Sequence, residues 1–312
     1  MRVAVYGSLA YDRILNFRGL FADHIIPGKT HQLNVSFFAP VMKESYGGTA
    51  GNVAYSLSLL GMEPVILSRA GNDFAQYRAW LTTNGIGTNT IEVDEEVRTA
   101  FATILTDERD NQIAAFYPGA TEKPYVLPQQ EPADITLSIV GPGNPSDMKE
   151  FPEYFRGKHI PFIYDPAQQI PTLSGDDLKN GIRGSRALIS NDYELALIME
   201  KTGWSEKDIL KETDMVVTTL GGEGSNIQTP DGSLTIPPGK PKEVKDPTGA
   251  GDAYRAGFMF GLLQEWPLPT VGRFAGIIAC YTVETYGTQT HTFTVDEVQS
   301  RYRENFNEDL PT

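Results

Sequence analysis

A run of small residues leads into an apolar, helix-periodic segment near the end of the chain. Gly249, Ala250 and Gly251 form the turn, and Asp252 stands where the helix should begin. Small residues let consecutive backbone N–H groups point at one spot, and a helix N-terminus adds the positive end of its dipole. The turn therefore predicts an anion hole for a phosphoryl group, with Asp252 placed to accept a hydroxyl proton beside it. The alternative is an aspartate that only caps a helix after a glycine-rich loop.

Two motifs together resemble those of one enzyme family. The run Asp-Pro-Thr-Gly-Ala-Gly-Asp at 246–252 resembles the C-terminal signature of the ribokinase-like (PfkB) carbohydrate and nucleoside kinases, whose second Asp is the catalytic base. Far upstream, Gly-Gly-Thr-Ala-Gly-Asn at 47–52 resembles the family's N-terminal motif. The resemblance implies an α/β fold: a three-layer α/β/α core with a mainly parallel sheet. It also implies a single kinase domain over 1–312, with a small β-sheet lid from about 13–46 and 91–120 inserted in the core.

Composition restricts the class of protein. The 312 residues allow one large α/β core or two smaller ones. A net charge of −14 argues against nucleic-acid and anionic-membrane partners, so phosphate must be attracted locally by backbone dipoles and Mg²⁺. The single Cys280 is incompatible with an internal disulfide and fits a reducing cytoplasm. Because no apolar run has the length of a signal or transmembrane segment, we expect a cytoplasmic protein.

The order of elements predicts where a site should lie. Short apolar runs that end in Gly, Asp or Asn alternate with helix-like segments, which indicates a parallel sheet covered on both faces. These runs are 3–6, 135–140, 162–164, 187–190 and 216–220. In such sheets ligands collect beyond the carboxyl ends of the strands. We therefore expect the polar residues that follow these runs to form the site.

Two stretches break the alternation and predict a second, smaller sheet. Residues 30–46 are typical of extended chain, and 97–117 of two strands around a polar turn. Their aromatic residues would form an exposed apolar face that a ligand or partner must cover. The resemblance implies a lid over the acceptor and a homodimer through the lid sheet. A decorative hairpin is the alternative.

The phosphate donor is expected to bind near the C-terminal strands. Thr219, Gly221 and Gly224 resemble the family's ATP-binding loop, although a tight turn alone explains the same residues. Asn191 and Glu194 resemble its N-x-x-E motif, which implies contact of Asn191 with ATP and of Glu194 with Mg²⁺ through water. The same pair predicts a helix N-cap with a capping box, and the two roles are compatible.

A monovalent cation such as K⁺ is a further implication of the resemblance. Asp246, the first carboxylate of the signature, matches the family's cation ligand, and a loop near Gly287 is its expected second wall. Asp246 could instead simply end a strand.

The acceptor is expected to bind near the N-terminal motif. Asp12, Gly48 and Asn52 match the family's contacts to a sugar, and Ser8 and Ser36 lie in the segments that resemble it. Acceptors such as carboxylates and amides bind a vicinal diol well in a cleft. Without the resemblance, Asp12 could be a turn residue and Asn52 a helix cap.

Within the family, the first sixty residues are most similar to bacterial adenosine kinases, which implies phosphorylation of the 5′-hydroxyl of adenosine to give AMP. A purine-binding site needs flat apolar walls and a polar side chain that forms hydrogen bonds to the edge of the base. Phe101 or Phe116 could stack on it, and Gln168 or Gln169 could bind its edge. The subgroup has an aromatic near position 102, where this chain has alanine, and a slip of one residue turns a ring to the other face of a sheet.

Other functions remain as alternatives. A sugar kinase for ribose, fructose or a similar acceptor would use the same motifs. A non-catalytic nucleoside sensor should lack the aspartate or the glycines of 249–252, and this chain keeps them. The triplet Gly-Lys-Thr at 28–30 lacks the first glycine of a Walker A loop, and neither a Rossmann fingerprint nor metal-binding histidine spacing is present.

Overall fold

The computed structural model describes residues 1–25, 34–109, 111–127 and 134–311. The triplet at 28–30 and the first residues of the expected lid segment 30–46 lie outside them. Within these ranges no helix combines the length and the apolar composition that crossing a bilayer requires.

The strands and helices alternate over much of the chain. In the described residues the strands are β1 (Arg2–Tyr6), β2 (Ala10–Asn16), β3 (Val41–Gly47), β4 (Glu63–Gly71), β5 (Ile91–Asp94), β6 (Ala100–Thr106), β7 (Gln112–Tyr117), β8 (Ile135–Val140), β9 (Phe162–Tyr164), β10 (Ala187–Asn191), β11 (Val216–Thr219), β12 (Ser225–Thr229) and β13 (Gly232–Ile236). The helices there are α1 (Thr49–Leu59), α2 (Ala75–Thr83), α3 (Asp147–Gly157), α4 (Gly175–Ile182), α5 (Asp192–Thr202), α6 (Glu206–Ile209), α7 (Ala250–Leu263), α8 (Leu268–Val283) and α9 (Val295–Phe306).

The larger sheet is mainly parallel. Its order in the described chain is β13-β12-β11-β10-β9-β8-β1-β4-β5, and only the hairpin pairs β11-β12 and β12-β13 are antiparallel. Parallel strands need crossover connections, and helices supply most of them here. The expected α/β class is confirmed.

Each face of this sheet is buried under helices. Along β1, Val3 and Val5 pack into the cluster that includes α1, α7 and α8, while Ala4 and Tyr6 pack into the cluster that includes α3, α4 and α5. Alternate side chains of a strand point to opposite faces, so a strand covered on both sides must be apolar throughout. The result is the three-layer arrangement, with polar residues displaced to the strand ends.

The smaller sheet has the order β3-β2-β6-β7. Strand β2 pairs with β6 in parallel, and the outer pairs are antiparallel. Within the range expected for the lid, residues 91–94 instead form β5 at the edge of the larger sheet, beside β4. The sheet also begins at Ala10, three residues before the expected boundary.

Candidate active site

The turn before α7 adopts a conformation that glycine favours. Gly249 is the N-cap with φ 79°, and a Cβ there would lie 2.9 Å from Cγ2 of Thr288. The Ala250 N–H donates to the carbonyl of Pro247 at 3.2 Å. Among the described residues, the N–H of Gly251 meets no acceptor, as expected for the first turn of a helix. This end of α7 can therefore receive an anion.

Asp252 lies inside α7 and does not cap it. It is half-buried, and its Oδ2 accepts a hydrogen bond from Nδ2 of Asn52 at 2.8 Å. Burial raises the pKa of Asp252, the charge of Arg255 and the Asn52 hydrogen bond lower it, and the negative charge of Asp12 raises it. The carboxylate that the signature identifies is thus neither free in solvent nor remote from a cleft.

A cavity of about 300 Å³ lies at the start of α7. Ala250 and Gly251 line it, together with Thr219, Gly221 and Gly224 of the loop after β11. Sequence reasoning missed most of its other walls, which are mainly small or apolar and include Pro237, Pro238, Gly239, Gly272, Gly276, Ala279, Cys280 and Val283. Its volume is at the lower end for small-molecule sites. The loop and the turn, distant in sequence, therefore share one cavity.

Asn191 and Glu194 form the capping box that their spacing predicts. The Glu194 N–H donates to Asn191 Oδ1 at 2.7 Å, and the Asn191 N–H donates to Glu194 Oε2 at 2.8 Å. Burial raises the pKa of Glu194, with a smaller contribution from Asp165. No group of three or more His, Cys, Asp or Glu side chains in the described ranges could hold a metal. Mg²⁺ usually keeps several waters and uses one or two carboxylates plus substrate phosphates, and a single Glu194 fits that mode.

Asp246 joins the signature to the loop near Gly287. Its Oδ1 accepts from the Thr248 N–H and its Oδ2 from the Gly287 N–H, both at 2.9 Å. Each oxygen keeps a lone pair, so the donor set is compatible with a cation.

The acceptor motifs converge at the corner between β1, the smaller sheet and α1. Gly48 has φ 83°, and a Cβ there would lie 2.5 Å from the carbonyl oxygen of Ser8. The Ser8 hydroxyl accepts from the Thr49 N–H at 3.3 Å. Asn52 lies inside α1, so it is not a helix cap, and Asp12 lies inside β2 rather than in a turn. Burial raises the pKa of Asp12.

Strand register decides which aromatic shares a face with Asp12. Residues Ser45, Asp12, Ala102 and Phe116 form one row across the smaller sheet. Phe101 is in the next row and therefore on the opposite face, where the guanidinium of Arg13 lies 4.3 Å from its ring centroid. Of the two aromatic residues expected to stack on the acceptor, only Phe116 therefore shares the face of Asp12; the one-residue slip relative to position 102 places Phe101 on the other face. Stacking itself stays a prediction.

Three further predicted contacts lie outside this row. Ser36 is exposed in the segment before β3. Gln168 and Gln169 lie in a short 3₁₀ turn after β9. Gln168 is exposed, whereas Oε1 of Gln169 accepts from the Thr172 hydroxyl at 2.7 Å. The side-chain oxygen of Gln169 is therefore already engaged within this turn, whereas the side chain of Gln168 faces solvent.

Sequence reasoning missed a buried ion pair beneath the turn. Arg255 Nη2 donates to Asp165 Oδ1 at 2.6 Å, and Nε contacts Oδ2. Both side chains are buried, and the neighbouring carboxylates of Asp165, Asp252 and Glu194 raise the pKa of Arg255. Arg255 stands one helical turn after Asp252, a spacing that could have suggested a shared face.

Comparison with known proteins gives a consistent result. The sequence model of the pfkB family carbohydrate kinases matches residues 2–294. A nucleoside kinase of Methanocaldococcus jannaschii is 30% identical over 304 residues, which are 96% of either chain. The structure of Burkholderia thailandensis nucleoside kinase in complex with inosine is similar with a TM-score of 0.88 at 33% identity, covering 99% of this chain and 100% of that one. The structure of that enzyme in complex with ADP-inosine gives 0.87 at 36%, covering 98% and 97%.

Proposed function

The chain belongs to the pfkB family of carbohydrate kinases, and we propose that it transfers the γ-phosphoryl group of ATP to the 5′-hydroxyl of a ribonucleoside, with adenosine as the preferred acceptor. It is a phosphotransferase with a hydroxyl acceptor. The observation that carries the nucleoside proposal is Asp252, which Asn52 ties to the acceptor corner while its helix opens onto the cavity. The relation to nucleoside kinases, one of which has been solved both with inosine and with ADP-inosine, supports it.

In the proposed mechanism, Asp12 and Asn52 hold the ribose and direct its 5′-hydroxyl at Asp252. Asp252 removes the proton as the hydroxyl oxygen attacks the γ-phosphorus in line, and the bond to the bridging oxygen breaks to release ADP. The N–H groups of the turn at 249–251 stabilise the charge on the transferring group, which is the main task in phosphoryl transfer. In this turn Ala250 must give up its weak bond to Pro247 to take part.

The residues that line the cavity at the start of α7 indicate where ATP, the phosphate donor, would bind. Thr219, Gly221 and Gly224 would contact ATP, with Asn191 near its phosphates. Glu194 would hold Mg²⁺ through water, and the ion would neutralise part of the phosphate charge when bound. A K⁺-like ion at Asp246 would tie the signature to the loop at Gly287.

A turnover screen with Mg-ATP tests the acceptor class. Adenosine, inosine, cytidine, ribose and fructose are compared by kcat/KM. We expect a nucleoside to exceed both free sugars, with adenosine highest, because a base adds apolar contact that ribose lacks. A preference for ribose or fructose would contradict the proposal and support the sugar-kinase alternative.

The position of Phe116 gives a prediction about the base. Phe116 is 58% exposed on the Asp12 face, where a ring can stack on a base. Phe116→Leu should raise KM for adenosine by about three- to tenfold, consistent with the roughly 0.5–1.5 kcal/mol of an aromatic pair, and leave KM for ATP unchanged. Phe101→Leu, the same change on the opposite face, is the matched control. Equal effects of the two variants on KM would remove Phe116 from the site.

The opposite face of the smaller sheet supports the homodimer that the family resemblance implies. Leu15, Phe38, Leu105 and Ile113 line an apolar groove there, and Phe38 is 82% exposed. A second copy would cover this surface. Light scattering after size exclusion should give twice the mass of one chain, and a monomer at micromolar concentration contradicts the dimer.

A further inference from the structure

A chain of hydrogen bonds runs from a surface groove to Asp252. Trp80 Nε1 donates to Gln289 Oε1 at 3.2 Å, and Gln289 Nε2 donates to Asn52 Oδ1 at 3.1 Å. Asn52 Nδ2 then donates to Asp252 Oδ2 at 2.8 Å. Gln289 and Asn52 are both more than nine-tenths buried, so neither amide can exchange these partners freely for water.

The Trp80 indole at the outer end of this series of hydrogen bonds determines the direction of each bond in it. An indole N–H can only donate, so it requires the oxygen of Gln289 to face Trp80. The nitrogen of Gln289 must then face Asn52, which must turn its own nitrogen toward Asp252. Beside an ionised Asp252 the Asn52 amide must donate, but beside a protonated Asp252 it could instead turn its oxygen inward and accept. The outer donor removes that second orientation, which disfavours the protonated form.

Tyr77 also fixes the orientation of the Gln289 amide. Tyr77 donates its hydroxyl hydrogen to the carbonyl of Gly47 at 2.7 Å, which leaves its oxygen to accept from Gln289 Nε2 at 2.5 Å. Both neighbours of Gln289 therefore demand the same orientation. A side chain at Gly51 would overlap the Tyr77 hydroxyl and approach Gln289 Nε2 to 2.8 Å, so the glycine of the N-terminal motif makes room for this hydrogen bond.

Trp80 itself is held by ring contacts. It stacks on Tyr46 with an interplanar angle of 22° and on Tyr55 with one of 18°. Gln289 has φ 58°, which non-glycine residues rarely adopt and which surrounding contacts must maintain.

We propose that Gln289, oriented by Trp80 and Tyr77, is a positioning residue that keeps the Asn52 amide turned so that it donates to Asp252. The proposal rests on the proposed function, in which Asp252 is the base. One oxygen of Asp252 is then pinned by Asn52, and the other is left to receive the proton of the acceptor. Asn52 Oδ1 already accepts from Gln289, and Asn52 Nδ2 keeps a second hydrogen that can be donated to the ribose.

The proposed role of Gln289 predicts how its replacement changes the pH dependence of activity. The charged groups that face Asp252 are Arg255 on its own helix, Asp12 on β2 and Asp165 after β9. Their charges are unchanged when Gln289 is replaced, so the replacement acts on Asp252 through the Asn52 hydrogen bond, which lowers the pKa of Asp252. Loss of this hydrogen bond raises the pKa of Asp252 further. As the pH is lowered, activity should therefore begin to fall at a higher pH than in the wild type.

Gln289→Met keeps the length of the side chain and removes its amide. We expect the acid limb of the kcat profile to move to higher pH by about half to one unit, since hydrogen bonds to charged groups are individually strong. At pH values on that limb, kcat should then fall about three- to tenfold. KM for ATP should not change. Gln76→Met, on the exposed face of α2 beside the same groove, is the matched control and should behave as wild type. Trp80→Phe removes one of the two hydrogen bonds that orient Gln289, so we expect a smaller shift of the acid limb in the same direction. This variant tests the proposal if Gln289→Met does not fold.

A readout independent of turnover separates this proposal from the proposed function. In protein labelled with ¹³C at the aspartate carboxyls, the Asp252 signal is assigned by its loss in Asp252→Asn and titrated in wild type and Gln289→Met. Unchanged titration overturns the positioning role, whatever the enzyme phosphorylates. A loss of kcat that is equal at all pH values also overturns it. Wild type that phosphorylates no nucleoside overturns the proposed function, and the titration still decides the role of Gln289.

Discussion

Asp252→Asn is expected to lower kcat by about 10²–10⁴-fold, the range that general-base catalysis supplies. The amide fills the same space and can still bond to Asn52, but it cannot accept a proton from the acceptor hydroxyl. ATP binding should persist, because the cavity at the start of α7 is lined by other residues. Single-turnover kinetics and calorimetric titration with ATP measure the two quantities separately.

Asp231→Asn, in an exposed turn, is the control for the same chemical change and should retain wild-type kcat. In the wild type, activity should fall as pH falls through the pKa of Asp252, which burial raises above its ordinary value. Near-full turnover by Asp252→Asn would remove this residue from the mechanism and leave the family motif without its expected role.

Much of the architecture could be predicted because apolar runs that end in Gly, Asp or Asn have a simple physical meaning. A strand buried on both faces must be apolar, and polar residues can appear only where it leaves the sheet. The ends of β9, β10 and β11 therefore marked the places where Asp165, Asn191 and Thr219 lie. The cap formed by Asn191 and Glu194 was predictable for a related reason, since its geometry is local.

Register and long-range pairing could not be predicted in the same way. Phe101 and Phe116 both stand on strands of the smaller sheet, and only the pairing of β2 with β6 and of β6 with β7 separates their faces. Residues 91–94 were assigned to the wrong sheet for the same reason, because a short strand does not specify its partner. The link from Gln289 to Asn52 joins residues far apart in the chain, and nothing in either neighbourhood indicates it.

The ion pair of Arg255 and Asp165 connects the stability of the fold to the electrostatics of the site. Desolvating two charges is costly, and their attraction repays the cost only while both are present. Arg255 also lowers the pKa of Asp252, and its charge interacts with the carboxylate of Glu194. One guanidinium thus offsets three carboxylates beneath the turn that is to receive phosphate.

Arg255→Met should therefore lower the free energy of unfolding by about 3–5 kcal/mol, because it leaves Asp165 buried without its partner. For a chain of this size that corresponds to a fall in Tm of roughly 5–8 °C. Arg186→Met is the matched control: Arg186 pairs with Asp214 at 2.8 Å with both side chains exposed, and such pairs contribute about 0–1 kcal/mol. Thermal unfolding followed by circular dichroism compares the two variants.

The double variant Arg255→Met with Asp165→Leu separates stability from electrostatics. Removing both charges should restore most of the lost Tm, since a packed apolar pair often replaces a buried ion pair without loss. Arg255→Met should move the acid limb of kcat to higher pH, because Asp252 then lacks the positive charge that favours its ionised form. The double variant should keep a smaller shift in the same direction, because the loss of the Asp165 carboxylate offsets part of it. If the double variant is as unstable as Arg255→Met, the guanidinium stabilises the fold through contacts other than Asp165. If the pH profile of Arg255→Met matches that of the wild type, Arg255 does not tune the base.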